Sequence, residues 1–150
     1  MSKHISVGIE RHLSVIYADD LRQEIDGKIT IVGMYQSQML VPAFPFVIPK
    51  LAILMTAATP VNDPFGKVTL KLLKDTELLL STDLDMSEQE MPPLSEEQEE
   101  GINAIHIQLA QIIGPLQIDC PCILKTRLET DKSTIAGQSL IIKLMPGGLG

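Results

Sequence analysis

The residues best suited to chemistry crowd into one short stretch, Tyr17 to Tyr35, which reads YADDLRQEIDGKITIVGMY. Asp19, Asp20 and Glu24 bring three carboxylates close together in sequence, with Arg22 among them. Several carboxylate oxygens on one loop are what a hard cation such as Ca²⁺ requires. The same residues also suit a structural role, in which one carboxylate pairs Arg22 or a nearby lysine and another caps backbone N–H groups at a strand exit. The structural role is the stronger reading, because no cation-loop spacing is satisfied, and neither a metal nor a cofactor is expected. Asp19, Asp20, Arg22 and Glu24 stand as candidate binding residues, and an Arg22→Met replacement is expected to lower stability if their ties are structural.

Two other groups of residues invite a chemical reading. Cys120-Pro121-Cys122 places two thiols two residues apart on a predicted strand, sharing a face but poorly placed for a mutual disulfide. Thiolates can grip a soft metal or sense oxidation, but with no second pair and no histidine close in sequence, buried or half-buried free thiols are expected. His4, His12 and His106 are isolated, and His106 shares a predicted strand face with Gln108, as a surface histidine would. The segment from Asp83 to Glu100 contains eight acids and no lysine or arginine. Such a run is ordinarily a solvated face; its alternative is a docking strip for a basic partner, which would bury Met86, Met91 and Leu94.

The elements that must carry these residues follow from length and pattern. A chain of 150 residues is sized for one domain with one core. Its apolar content is 45%, almost all aliphatic, with no Trp, two Tyr and three Phe, so platforms for stacking bases are scarce. The net charge is −7, but taking the eight acids of the 83–100 segment from the total of 19 leaves eleven against 12 bases. The rest of the chain is close to neutral and its bases are scattered singly, so nucleic acid is not an expected partner. No secretory leader is visible and no apolar run approaches the ~20 residues of a membrane span, so no membrane span and a cytoplasmic location are expected.

Strand signals dominate. Leu13 to Ala18 is apolar on both faces and fits a strand inside a sheet. Asp26-Gly27 marks a tight hairpin turn into Lys28–Tyr35, with Ile29 and Ile31 on one face and Thr30 and Val32 on the other. Pro42, Pro45 and Pro49 make Val41 to Pro49 an extended crossover that switches sheets. Leu51 to Thr59 reads as a buried strand, Asn62 to Gly66 as a turn, Lys67 to Leu72 and Leu78 to Thr82 as a second hairpin. The acidic segment 83–101 reads as a loop in which Ser95-Glu96-Glu97-Gln98 forms a capping box for one helical turn.

Residues 102–113 fit a helical stripe and a strand almost equally; the strand is preferred because the flanking segments are strands. Cys122 to Glu129 is a one-sided strand, returned through Thr130–Ser133 as a single strand from Ile135 to Leu144. The expected organisation is one domain over residues 1–150, with an N-terminal segment (1–11), the acidic loop (83–101) and a flexible tail (146–150). The fold class is an all-β antiparallel β-sandwich, immunoglobulin-like, of seven to eight strands.

The run Ala18-Asp19-Asp20-Leu21-Arg22-Gln23-Glu24, then Gly27-Lys28, Gly33-Met34-Tyr35, the proline-interrupted V-P-x-F-P and Pro49-Lys50-Leu51, resembles the opening half of a family of short, uncharacterised bacterial proteins. Its signature is D-D-[IL]-R-x-E followed by G-K-x-x-[IL]-x-G-x-Y, and the resemblance spans roughly residues 13 to 60. It implies a small immunoglobulin-like sandwich and a bacterial or phage origin, and carries no activity with it. The second half departs from the family, with Cys120-Pro121-Cys122 where Gly and an aromatic residue are usual.

Three functional classes follow. The first is a non-enzymatic module that presents loops or an edge strand to a protein partner, or to a second copy of itself. It ranks first because no nucleophile, base and oxyanion set assembles from these motifs, so no enzyme is expected. The alternative is a calcium- or lipid-dependent sandwich resembling C2 domains, prompted by Asn62-Asp63-Pro64-Phe65-Gly66-Lys67-Val68; against it, Ala57 stands where an upstream Asp is expected and the Asp83-x-Asp85 pair comes too soon for a second calcium loop. A thiol-dependent enzyme using Cys120 or Cys122 ranks last.

Overall fold

A computed structural model describes residues 10–87 and 104–147, which form twelve β-strands and no helix. They are β1 (His12–Gln23), β2 (Ile29–Tyr35), β3 (Gln38–Val41), β4 (Phe46–Ile48), β5 (Leu51–Pro60), β6 (Lys67–Lys74), β7 (Glu77–Asp85), β8 (Ala104–Ile113), β9 (Leu116–Ile118), β10 (Cys122–Glu129), β11 (Thr134–Ala136) and β12 (Leu140–Leu144). Eight of them run five residues or more, matching the count that hydrophobic alternation predicts; β3, β4, β9 and β11 are short additions.

One sheet has the order β2-β1-β5-β8, and the other β3-β12-β10-β6-β7, with β11 beside β10; β4 and β9 pair separately. The strands are antiparallel to their neighbours except β3 and β12, which are parallel. The two sheets pack face to face as a β-sandwich. Leu13, Val15, Tyr17, Leu51, Ile53 and Met55 from the first sheet meet Val68, Leu70, Leu72, Leu124, Leu128, Leu140 and Ile142 from the second in one buried cluster. Alternation produces this: in β10, Cys122, Leu124, Thr126 and Leu128 are buried while Ile123, Lys125, Arg127 and Glu129 are not.

Several expectations are met in detail. β1 lies inside its sheet, and β5, almost wholly buried, is the other central strand. Residues 104–113 are strand, held to β5 by ten consecutive register pairs from Leu51↔Ile113 to Pro60↔Ala104. The proline-rich crossover changes sheet, although the first switch comes earlier, at Gln36-Ser37 between β2 and β3.

Others are corrected. The β1–β2 hairpin has a three-residue loop: the Gly27 N–H donates to the Glu24 carbonyl at 3.1 Å and the Glu24 N–H to the Lys28 carbonyl at 2.8 Å, with Gly27 at φ +82°. That is a type I turn closed by a glycine bulge, so Ile25 also belongs to the loop. Residues 135–144 are two strands, because Gly137-Gln138-Ser139 leaves the sheet between β11 and β12. The acidic loop begins later than the charge pattern indicates, since Asp83 and Asp85 complete β7 against Thr69 and Lys67. Cys120 and Cys122 do not share a face: β9 ends at Ile118 and the chain bends, leaving Cys120 exposed and Cys122 in the core.

Candidate functional site

The acids of the opening segment are drawn apart. Successive strand residues face opposite ways, so Asp19 and Asp20 leave β1 on different sides. Asp19 accepts a hydrogen bond from the Tyr35 hydroxyl at 2.7 Å and lies over Gly33, which has φ +67°; a β-carbon on Gly33 would sit 2.8 Å from the Asp19 carboxyl carbon. Asp20 pairs with Lys50 at 3.0 Å and with Arg22 at 3.6 Å, and those two cations and the Leu21 N–H hold its carboxyl below the usual range, Lys50 foremost. Glu24 accepts from the Thr30 hydroxyl at 2.8 Å.

The sequence signature is thus a set of local ties between β1, β2 and the entry to β5, each acid having its own partner. Lys50, which carries no signal of this role in the sequence, is the main partner of Asp20. Arg22 is 69% exposed and more distant, so the stabilising role expected of it passes largely to Lys50.

Sequence reasoning also misses Arg11 and Gln138. The Arg11 side chain, only 9% exposed, donates through Nε to Thr59 Oγ1 at 3.0 Å, through NH1 to Asp131 at 2.9 Å and through NH2 to the Pro64 carbonyl at 3.1 Å. It also meets Asp63 at 3.4 Å and stacks 4.9 Å from the centre of the Phe65 ring. Lys132 reaches the same Asp63 carboxylate at 2.8 Å. The Asn62–Gly66 turn that resembles a calcium-loop entry is therefore occupied by two bases.

Gln138 fills a gap in the other sheet. Its side-chain Oε1 accepts the Val15 N–H at 2.6 Å where β2 no longer covers β1, while its carbonyl accepts from Tyr17 at 2.8 Å. The Tyr17 ring is buried, and burial pushes its hydroxyl up to about 12. The folded state thus favours the neutral phenol, whose contribution is complete below the unfolded value near 10 and is lost as pH rises from there through about 12. Two units correspond to about 3 kcal/mol. Burial and the Asp19 carboxylate push the Tyr35 hydroxyl up to about 12 as well, so thermal midpoints measured from pH 8 to pH 12 are expected to fall above 10, and a Tyr17→Phe variant to remove part of that fall.

The remaining candidates do not form a site. The Cys122 thiol is buried and pushed upward by that burial, which disfavours the reactive thiolate. Asp83 accepts from Thr69 at 2.8 Å, and Asp85 is engaged by Ser87. Among the described residues no three His, Cys, Asp or Glu side chains gather as a metal cluster, so Asp19, Asp20 and Glu24 are not brought together, nor are Asp63, Asp83 and Asp85. His106 and Gln108 lie exposed on one face of β8 as expected. Met86 packs partly against the core. Met91, Leu94, His4 and the capping box at 95–98 lie outside the described residues, as do most of the acidic loop and the N-terminal segment. No helix among the described residues is long and apolar enough to cross a membrane.

What the fold does present is a sheet edge. Of the four terminal strands, β2 has seven residues with Gly33 at φ +67° near its middle, β3 has four residues and is followed by Pro42, and β7 carries Glu77, Asp83 and Asp85. Short length, bulges and charges are the usual devices that keep an edge from pairing. β8, AIHIQLAQII, has ten residues and none of these protections. Among the described residues nothing pairs with its outer side.

The ladder fixes which backbone groups point outward along that edge. The Val15 N–H points away from β5, to Gln138, so Ser14 and its partner Thr56 point at each other. Met55 and its partner Leu109 then face each other across the next ladder, which turns the N–H and C=O groups of His106, Gln108, Ala110 and Ile112 outward. Ile105, Ile107 and Leu109, on the inner face, are only half-buried.

The fold and this edge define a largely antiparallel β-sandwich in which β8 is, among the described residues, an unprotected ten-residue edge strand. No family model matches the chain, and none of the curated proteins matches it.

Proposed function

We propose that the protein is a non-enzymatic interaction module that recruits a protein partner by adding a strand to its sheet at β8. The observation that carries this reading is the β8 edge: four alternate outward-facing residues offer N–H and C=O groups, with no charge, proline or bulge to turn a strand away. In strand addition the main chain supplies the affinity and alternate side chains supply the selection. Here the selecting surface is the half-buried row Ile105, Ile107 and Leu109, which favours an apolar strand. The acids of the opening segment and of the Asp63 turn serve architecture in this reading, since each is engaged by a base or hydroxyl nearby.

The test is an Ala110→Pro variant. Proline at an outward-facing position removes an N–H that β5 does not use, so the monomer's own ladder stays intact. In cross-linking capture from the native cell, partners seen with the wild-type chain are expected to be lost with Ala110→Pro, at an unchanged circular dichroism spectrum. Identical partners with both would sink the edge as the site.

A further inference from the structure

We infer that the strand received at β8 is the β8 strand of a second copy of this chain, joining two sheets into one eight-stranded sheet across a twofold axis. The inference rests on the interaction-module reading and names its partner. Charge supports it first: the chain carries −7 overall, yet β8 holds no charged residue, so two copies meet along this edge without a single like-charge pair. The edge β7 would set Asp83 and Asp85 near their own copies, and β2 offers only seven residues, with Gly33 at φ +67° near the middle.

Register supports it next. Antiparallel pairing of residue n with residue 216 − n sets Gln108 against Gln108 on the axis, as a hydrogen-bonded pair of the outward-facing residues. A glutamine amide is both donor and acceptor, so the two side chains are mutually complementary. His106 then lies opposite Ala110, and on the inner face Ile107 lies opposite Leu109 and Ile105 opposite Gln111. All three half-buried apolar residues thereby gain the cover that they lack on a single copy. Even parity keeps inner residues opposite inner ones, as a strand with one apolar face requires.

The strength follows from size. Ten residues at about 3.4 Å each give a strand about 34 Å long, and a sheet about 10 Å thick meets its copy over roughly 350 Å². That is well below the ~800 Å² per partner of a standard interface, so the dimer is expected to be weak.

Sedimentation velocity of the full chain from about 5 to about 500 µM, a range chosen to reach a weak dimer, tests this. The wild type is expected to pass from monomer to dimer over that range. Ala110→Pro, which blocks the ladder, and Gln108→Glu, which sets two carboxylates against each other on the axis, are each expected to remain monomeric with the wild-type spectrum. Should Ala110→Pro fail to fold, Gln108→Glu decides. A wild type that stays monomeric throughout overturns the self-pairing, as does a Gln108→Glu chain that dimerises like wild type. Monomeric wild type with partner capture still lost in Ala110→Pro overturns the self-pairing alone; capture insensitive to Ala110→Pro overturns the strand-addition reading as well.

Discussion

A Gly114→Ala chain is expected to lose roughly 3 kcal/mol of stability or more, combining a backbone conformation that only glycine tolerates with a steric overlap. Gly114 follows the last residue of β8 and has φ +142°. A β-carbon there would run into the Pro49 carbonyl oxygen and lie 2.9 Å from the Pro49 carbonyl carbon and 3.1 Å from the Lys50 α-carbon. These are main-chain atoms at the entry to β5, where Leu51 pairs with Ile113, and they cannot step aside as a side chain would. For a domain of this size the loss corresponds to about 6–12 °C in thermal midpoint. Gly27 is the control: at φ +82°, with nothing within 4 Å of where an added methyl group would sit, Gly27→Ala carries the conformational cost alone, about 1 kcal/mol. Equal midpoints for the two variants would refute the close approach at Gly114. Because the same corner anchors β8 on β5, hydrogen exchange of the β8 amides is expected to quicken in Gly114→Ala and not in Gly27→Ala.

How much of this the sequence discloses depends on the range of the forces involved. Alternation such as that of Cys122 to Leu128 is local, and it predicts the strands and the sandwich. The segment 104–113 is balanced between helix and strand in sequence because Ile105 and Leu109 satisfy both periods, Ile112 extending the helical one and Ile107 the strand; its ten partners on β5 decide it, and they lie some fifty residues away. Gly137-Gln138 reads as ordinary strand, although a β-carbon on Gly137 would come within 2.5 Å of Thr126 Oγ1 and 2.7 Å of Val15. Glycine is needed there so that Gln138 can reach the uncovered part of β1, a requirement visible only once β1, β10 and β12 are assembled. The acid-rich opening stands out by its composition, whereas the β8 edge, free of charge, is blank to any search for chemistry. Its interest lies in main-chain groups, which every residue has and no side-chain pattern reveals.

Arg11 shows the same limit most sharply, and replacing it is the second large effect expected. Nothing in its neighbourhood in sequence marks it, since its partners Thr59, Asp63 and Asp131 are 48, 52 and 120 residues away. Yet it joins the start of β1, the end of β5, the β5–β6 turn and the β10–β11 turn at one end of the sandwich. The buried Thr59 hydroxyl accepts from Arg11 and donates to the Asp63 carbonyl, so the guanidinium completes a chain of bonds that fixes that turn.

An Arg11→Met chain retains much of the side-chain bulk but forfeits the charged hydrogen bonds and the contact with Phe65, and about 2–3 kcal/mol is the expected loss. Arg11→Lys is expected to recover little of it, because one ammonium cannot span the Thr59 hydroxyl, the Pro64 carbonyl and two carboxylates as the planar fork does. Lys132→Met removes only a 58%-exposed partner of Asp63 and should stay within about 1 kcal/mol of wild type. Urea titrations of the three variants distinguish the cases. Should Arg11→Met and Lys132→Met fall together, the clasp is an exposed ion pair like any other; should Arg11→Met alone fall, this end of the sandwich is closed by a single buried cation, and the Asn62–Gly66 turn is committed to holding it.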